Sequence, residues 1–577
     1  RGVQIMKNIP LNDVRPIQNL KDMLESSVSI YKEKAAFLVK QKGEENYKPI
    51  SFNQYKSNIY SLGTALINLG LKDKKIALIG ENRYEWAVTY LSVVNGTGII
   101  VPLDKELPEN EIENLLKRAQ VSAIIFSGSK AEQIAEISKR IDFIKYYINM
   151  DLDEDKDSIL SFKKLLDKGS ALVESGDRSF IDAKIDENAM TSLLFTSGTT
   201  ENSKAVMLSH KNICSNLIAM CQMVYIDDKD TFLSVLPLHH TYECTCGFLC
   251  QIYRGSTIAY CEGLRHIVKN LRESKTTIML GVPLIFEAIY RQIWNQASKN
   301  PKTARKLKLG IKISNLLKKF NIDITKKLFA PIHENFGGHL RLFISGAAGI
   351  DPMVAKGFRD IGIKLIQGYG LTECSPILAL NRDVDFKDDA AGVPLPNVEV
   401  RIANPNEEGV GEIIAKGPNI MLGYYENQEA NENAFKDGWF YTGDLGYIDN
   451  DGFVHITGRK KDVIVTKNGK NIYPEEIEKL LNRSPYIKES LVYGKNDEVY
   501  GDVVVSAIIV PDMDYINEEF SEKPLSQEEI NSLISKEIKA VNKSLVTYKY
   551  IKDFTLRETE FAKTTTKKIK RYMEKVN

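Results

Sequence analysis

Thr196-Ser197-Gly198-Thr199-Thr200-Glu201-Asn202-Ser203-Lys204 follows the apolar segment Leu193-Leu194-Phe195. The apolar segment reads as a buried strand. The run of hydroxyl-bearing residues and glycine after it has too little apolar surface to pack a core. It can bring hydroxyls and backbone N–H groups close to something rich in anionic oxygens, and Lys204 adds a positive charge. That combination suits a polyphosphate. Read alone, the same stretch is also compatible with a surface loop rich in Ser and Thr.

Outward from this loop the chain alternates short apolar strands with helix-like stretches. Lys75-Ile-Ala-Leu-Ile-Gly80, Gly98-Ile-Ile-Val-Pro102 and Ala123-Ile-Ile-Phe126 lie on the N-terminal side. Further strands are expected near 231–236, 277–282, 341–345 and 363–366. Short, continuously apolar strands between helices are the mark of an α/β fold with sheets covered on both faces. From about 390 to 457 the texture becomes β-rich, as in Val398-Glu-Val-Arg-Ile402, Gly411-Glu-Ile-Ile-Ala415 and Phe453-Val-His-Ile-Thr457. Beyond Arg459 an α+β tail is expected, with strands near 490 and 503–510 and helices near 474–482 and 526–541. The acidic stretch 513–528 reads as a solvated loop.

The bulk numbers narrow the class. A chain of 577 residues exceeds what one core can organise, so two or more domains are expected. Apolar residues at 43% and charged residues at 27% are ordinary for a globular protein. A net charge of +1 gives no global pull toward nucleic acid or membrane, and no nucleic acid is expected as a partner. Seven cysteines without a paired framework fit reduced thiols in a cytoplasmic enzyme. The opening Arg1-Gly-Val-Gln-Ile-Met6 lacks the apolar core of a signal peptide.

Four more segments carry chemistry. In Gln367-Gly368-Tyr369-Gly370-Leu371-Thr372-Glu373 the glycines let a backbone approach a ligand closely. Tyr369 offers a flat face for a base, Thr372 a hydroxyl, and Glu373 a hard oxygen for Mg²⁺. Asp437-Gly-Trp-Phe-Tyr-Thr-Gly-Asp444 ends on a carboxylate suited to the two hydroxyls of a ribose. Gly458-Arg459-Lys460-Lys461-Asp462, continuing to Lys467-Asn-Gly469-Lys-Asn-Ile-Tyr-Pro474, is a charged stretch between two textures and reads as a hinge. Phe561-Ala-Lys-Thr-Thr-Thr-Lys-Lys568-Ile-Lys-Arg571 is a basic tail.

Taken in order, the five segments resemble the adenylate-forming (AMP-binding) superfamily, and in particular its long-chain fatty acyl-CoA synthetases. The resemblance covers the chain after about residue 30. It implies a large N-terminal domain of stacked α/β sheets over 1–457, with a β-rich subdomain at about 390–457. A hinge at 458–462, pivoting at Lys461, would join it to a small mobile α+β domain over 463–577. It implies ATP, Mg²⁺ and CoA as cofactor and cosubstrates, with a fatty acid activated to acyl-AMP and then transferred to CoA. The implied catalytic residues are Lys568, Thr199, Glu373 (also the Mg²⁺ ligand) and His240. The implied nucleotide contacts are Thr196, Ser197, Gly198, Thr200 and Lys204 for phosphates, and Ser345, Gly346, Ala347, Gln367, Gly368, Tyr369, Gly370 and Thr372 around the adenine and phosphate. Asp444 and Arg459 would hold ribose, and Gly469 would line the thiol tunnel after the small domain rotates.

The chain departs from the family pattern TSGTTG-x-PKG at Glu201, Ser203 and Ala205, and Lys567 stands where the tail pattern has glycine. Two rival activities share these motifs: loading a carrier-protein thiol, and nucleotide binding without catalysis. Gly281-Val-Pro-Leu284-Ile-Phe-Glu-Ala-Ile-Tyr290 resembles the long-chain branch except at Leu284, and Gly368 leaves room where an aromatic would cap a short pocket. Residues 302–327 hold nine Lys/Arg and one acid with apolar residues interleaved. They are expected as a helical insertion packed on the core or as peripheral contact with an anionic membrane. His239, His240, Cys244, Cys246 and Cys250 lack zinc-site spacing, and the cysteines are expected as buried apolar residues on a helix.

Overall fold

The structure is a computed structural model that describes all residues except 1–9, 41–43, 45, 197–202, 467–469, 498–501, 565–566 and 575–577. The chain forms two compact units. One comprises 1–400 and 415–440, the other 401–414 and 441–577.

The first unit is α/β, built on two large sheets. In the nine-stranded sheet the strands Leu342–Ser345, Ile278–Gly281, Thr231–Ser234 and Thr257–Tyr260 run parallel in its centre, and Lys364–Gly370 runs parallel beside Leu342–Ser345. Leu342–Ser345, Ile278–Gly281 and Thr257–Tyr260 are buried throughout, and Thr231–Ser234 is buried at all but Thr231, as a sheet covered on both faces requires. Phe286, Phe343 and Phe358 fill the core against this sheet; burying one such ring stabilises the fold by about 1.5–3 kcal/mol. Antiparallel strands close both sides: Ile377–Leu380 and then Val393–Pro394 beyond Lys364–Gly370, and Lys48–Ser51 beyond Ala35–Val39.

The eight-stranded sheet has Lys74–Ile79, Gly98–Leu103 and Ala123–Phe126 at its parallel centre. Met190–Phe195 lies parallel to Gly98–Leu103, and Ala205–Ser209 pairs antiparallel with Met190–Phe195. The segment 196–204 therefore joins the two arms of a hairpin. The helix His210–Met223 starts only after the second arm, on a capping box between Ser209 and Asn212.

The β-rich texture expected at 390–457 is present as Glu399–Ala403, Gly411–Lys416, Trp439–Ile448 and Val454–Arg459. In the second unit Ile487–Asp497, Asp502–Pro511 and Ile551–Leu556 form a three-stranded sheet. The helices Pro474–Leu481 and Gln527–Asn542 contribute Ile477, Leu481, Ile530, Ile534 and Ile538 to the same core. The acidic stretch 513–528 is a correction: Met513–Glu519 is a helix, capped by Asp512, with Ile516 buried. Its acids occupy the solvent face, and the single apolar anchor was hidden by the charge around it.

The basic segment is a helix over Pro301–Lys318, started by the Asn300 cap and Pro301. Leu307, Gly310 and Ser314 face inward, and Leu307 joins the core of the nine-stranded sheet. Among the described residues no helix is long and apolar enough to cross a membrane.

Candidate active site

Parallel strands of an open α/β sheet present their ligand crevice at their carboxyl ends. In the nine-stranded sheet those ends bring Gly281, Ser345 and Gln367 side by side in register. Ser345 is buried. Gly346 lies against Tyr242, where a Cβ would come within 2.6 Å of the ring, and the Tyr242 hydroxyl donates to the Ile344 carbonyl at 3.1 Å. Ala347 holds a left-handed backbone at φ 69°. The Gln367 amide is bonded at both ends, accepting from the Ile350 N–H at 3.1 Å and donating to the Asp388 carbonyl at 2.7 Å. It braces the strand end rather than offering a free amide.

Gly368-Tyr369-Gly370 completes the strand Lys364–Gly370 beyond Gln367. Tyr369 is largely buried. At Gly370 a Cβ would meet the Pro376 carbonyl oxygen at 1.9 Å, so only glycine allows this turn to close. Beside Gly368 a Cβ would meet Leu380 Cδ1 at 2.9 Å, so the flexible end of Leu380 bounds the room this glycine leaves.

Thr372 opens the 3₁₀ turn that carries Glu373. The Tyr424 hydroxyl donates to Glu373 Oε1 at 2.9 Å, and the Met421 N–H donates to the Glu373 carbonyl at 2.9 Å. The Lys204 ammonium lies 4.6 Å from the centre of the Tyr424 ring. Lys204 and Glu373, 169 positions apart in sequence, thus both contact one tyrosine, Lys204 over its ring and Glu373 at its hydroxyl. The stem of the 196–204 hairpin is closed by the Thr196 N–H donating to the Lys204 carbonyl at 2.9 Å. Ser197, Gly198, Thr199 and Thr200 lie outside the described residues.

Two asparagines on the helix His210–Met223 hold this corner from behind. Asn212 donates to the Pro418 and Ile420 carbonyls, and Asn216 to those of Cys374 and Ile377. Sequence reading passed over both, as it did Tyr424: an asparagine inside a helix and a tyrosine in a Gly-Tyr-Tyr run carry no signal until the fold shows what they face.

The His239-His240 turn follows the strand Thr231–Ser234. Asn82 fixes it, donating to Ser234 Oγ and the Leu236 carbonyl and accepting from the Leu238 N–H. Burial lowers the His239 pKa to about 4, so the ring is neutral at pH 7. Glu243 follows in a π-helical stretch, Tyr242–Leu249, which also carries Cys244 and Cys246, both buried. Ser234 donates to Glu243 Oε1 at 2.6 Å, and burial pushes this carboxyl up to about 8. Cys250 is buried too, its sulfur 3.4 Å from that of Cys221.

In the second unit, the antiparallel register sets Asp444 opposite Arg459, and Arg459 Nε lies 2.8 Å from Asp444 Oδ1. Thr442 shapes the approach, donating to the Ile413 carbonyl and accepting from the Asp444 N–H. Lys461 is exposed in a short 3₁₀ turn after Arg459. Gly469 lies outside the described residues, between the paired strands Ile464–Val465 and Asn471–Ile472.

Lys568 sits on a small hairpin closed by the Lys563–Ile569 bridge and by the Thr564 N–H donating to the Lys568 carbonyl at 2.8 Å. Lys567 takes the left-handed conformation, φ 63°. Arg571 anchors the segment, donating to both oxygens of Glu478 and to the Val492 carbonyl. Lys568 is exposed in area. Desolvation of its ammonium is the first cause of a pKa below the ordinary lysine value, Arg459 adds to it, and Glu475 and Asp444 oppose it.

Against known proteins, the AMP-binding enzyme profile matches residues 24–425, and the profile of the AMP-binding enzyme C-terminal domain matches 461–573. The chain belongs to the AMP-binding enzyme family. Among its relatives are fatty acyl-CoA synthetase B of Dictyostelium discoideum, 26% identical over 84% of this chain and 76% of that protein. Another is human long-chain-fatty-acid–CoA ligase 1, 28% identical over 82% of this chain and 71% of that protein. A crystal structure of an anthranilate CoA ligase in complex with anthranoyl-AMP shares the fold, with a TM-score of 0.76, 19% identity and coverage of 98% and 97% of the two chains. This AMP-binding enzyme thus has the architecture of adenylate-forming enzymes: a large α/β part followed by a separate C-terminal domain.

Proposed function

We propose that this AMP-binding enzyme is an acid–thiol ligase that activates a long-chain fatty acid with ATP and transfers it to CoA. The observation that carries the reading is that Lys204 and Glu373 both contact Tyr424, in the unit whose parallel strands end in register at Gly281, Ser345 and Gln367. The relatives' fatty acid–CoA ligase names supply the substrate class.

In the first half-reaction a carboxylate oxygen of the acid attacks the α-phosphorus of ATP, the bond to pyrophosphate breaks, and acyl-AMP forms. In the second the CoA sulfur, having lost its proton, attacks the acyl carbonyl and AMP leaves. The first step sets an anion against an anion, so positive charge must screen both. Lys204 holds phosphate oxygens, and Lys568 supplies the ammonium that carboxylate and α-phosphate share. Thr196 and Thr372 offer hydroxyls, Tyr369 packs along the base, and Asp444 accepts from ribose hydroxyls with Arg459 fixing its orientation. His240 borders the path of the acyl chain and thiol. Glu373 suits Mg²⁺: one protein carboxylate whose other ligands are phosphates and water is the way this ion is commonly held. Mg²⁺ there would neutralise charge on the phosphates. For the thiol step, Lys461 serves as the pivot and Gly469 leaves the thiol's path open.

The test is ATP conversion to AMP and pyrophosphate with CoA and saturated acids of increasing length. Turnover that peaks at long acids is expected. No AMP with any acid would sink the reading, and AMP formed only with a carrier-protein thiol would move the acceptor.

A second observation favours a partner. On the helix Pro301–Lys318 a second apolar stripe faces outward through Leu309, Ile313 and Leu316 and continues to Phe320, which is 70% exposed. Lys302, Arg305, Lys306 and Lys312 flank it. Apolar residues edged by cations suit an anionic bilayer surface, and we assign the enzyme a peripheral place on one, facing the cytoplasm. Changing Leu316 and Phe320 to Ser together should lower co-sedimentation with phosphatidylglycerol vesicles several-fold. Unchanged partitioning would remove the membrane from the account.

A further inference from the structure

The hairpin 196–204 lacks the proline of its family pattern, and Ser203 stands in its place. Proline fixes its own φ and restricts the residue before it, so it stiffens the end of such a loop without help from elsewhere. Serine does neither. In this fold the constraint reaches Ser203 from another element. Arg118, in the last turn of the helix Glu109–Ala119, donates from one guanidinium nitrogen to Ser203 Oγ at 2.6 Å and from the other to the Ser203 carbonyl at 2.8 Å. Its guanidinium carbon also lies 5.3 Å from the centre of the Phe195 ring. Phe195 ends the incoming arm and pairs with Ala205 on the outgoing arm. One arginine therefore grips both arms of the stem, next to Lys204. Ser203 is 7% exposed, so the fork closes on a sheltered partner where charge-assisted bonds are strong.

We propose that Arg118 is a positioning residue for ATP: by forking onto Ser203 and covering Phe195 it sets the stem that aims Lys204. The proposal rests on the reading of 196–204 as the phosphate loop. It makes Arg118 and residue 203 a coupled pair. With proline at 203 the stem is stiff by itself and the arginine becomes dispensable. Lysine is a poor substitute for the arginine, because its ammonium is a point charge on a flexible stem and lacks the rigid planar fork that fixes both bonds at once.

The experiment uses the full-length chain and measures Mg·ATP affinity by calorimetry, beside KM for ATP and kcat in acid-dependent pyrophosphate release. Arg118→Ala should weaken ATP affinity and raise KM about tenfold, with kcat changed less than about threefold. Arg118→Lys should recover little of this. Ser203→Ala, which removes only the hydroxyl bond, should cost about threefold. The deciding variant is Arg118→Ala with Ser203→Pro: its ATP affinity should return to within about threefold of Ser203→Pro alone. A merely structural arginine would lower the melting temperature without this selective rescue of ATP binding. Wild-type affinity in Arg118→Ala, or a double variant as weak as the single, would overturn the proposal. A wild-type protein that binds ATP yet turns over no acid would instead refute the function while leaving the clamp standing. A wild-type protein that binds no ATP would overturn both.

Discussion

The stem of the 196–204 hairpin and the Lys568 hairpin both carry a residue foreign to the family pattern, and the fold treats them differently. Ser203 replaces a proline, and a side chain from a separate helix grips it on two atoms. Lys567 replaces a glycine, stands exposed, and keeps the left-handed backbone at φ 63°. A lost rigidity can be restored from outside by hydrogen bonds. A lost conformational freedom cannot, because the clash of Cβ with its own backbone is local. The first substitution is therefore absorbed by packing, and the second remains as strain beside the lysine to which we assign the chemistry.

The largest effect should come from that lysine. Lys568→Ala should cut adenylate formation by about 10²–10³-fold, the usual cost of removing one preorganised charge at a reacting oxygen. Thiol transfer from preformed acyl-AMP should change little. Equal loss in both half-reactions would end its assignment to the first. The ammonium must be charged to act, and its pKa is lowered, so adenylate formation should fail as pH rises through a value below that of an ordinary lysine.

Gly370→Ala comes next, and it tests the unit in which substitutions are absorbed by packing. The new Cβ would meet the Pro376 carbonyl, a backbone atom held by the Leu371 N–H at 2.8 Å. Overpacking of this kind costs about 1–3 kcal/mol, and it should appear as weaker ATP binding together with a lower melting temperature. An alanine variant indistinguishable from wild type would show that this turn can move.

The α/β class and the order of the segments were legible because buried parallel strands leave unbroken apolar runs and close backbone approaches leave glycines. What stayed hidden was held by single side chains that act across long sequence separations. Tyr424 gathers Lys204 and Glu373, Asn212 and Asn216 brace the corner, and Arg118 reaches Ser203 from 85 positions away. No periodicity announces such residues. The helix Met513–Glu519 was missed for the opposite reason: local charge masked one buried isoleucine.

Glu243 offers a smaller and slower test of the same unit. Its carboxyl is buried, bonded by Ser234, and pushed up to about 8. The groups around it, Tyr242, Cys244, Cys246 and Tyr260, are neutral at pH 7, since burial raises the pKa of each. A carboxyl whose pKa is higher folded than unfolded stabilises the fold below the unfolded value and loses that contribution as pH climbs through the folded one. The melting temperature should therefore fall as pH rises from about 4.5 to about 8, and Glu243→Gln should flatten that slope. A slope unchanged in the glutamine variant would assign it to other groups.

The smallest effect returns to the exposed hairpin. Lys567→Gly restores the residue that tolerates φ 63°, and removing a left-handed strain of this kind is worth about 1 kcal/mol. Part of that gain is offset, because glycine also loosens the unfolded chain. The second unit should melt a degree or two higher. Adenylate formation should rise by no more than about twofold, since the Arg571–Glu478 anchor and the Lys563–Ile569 bridge already hold the hairpin. A large gain in rate would mean that the strain misplaces Lys568. A loss would mean that the stiffness of a lysine at 567 helps to aim its neighbour, and the two loops would then differ less than their backbones suggest.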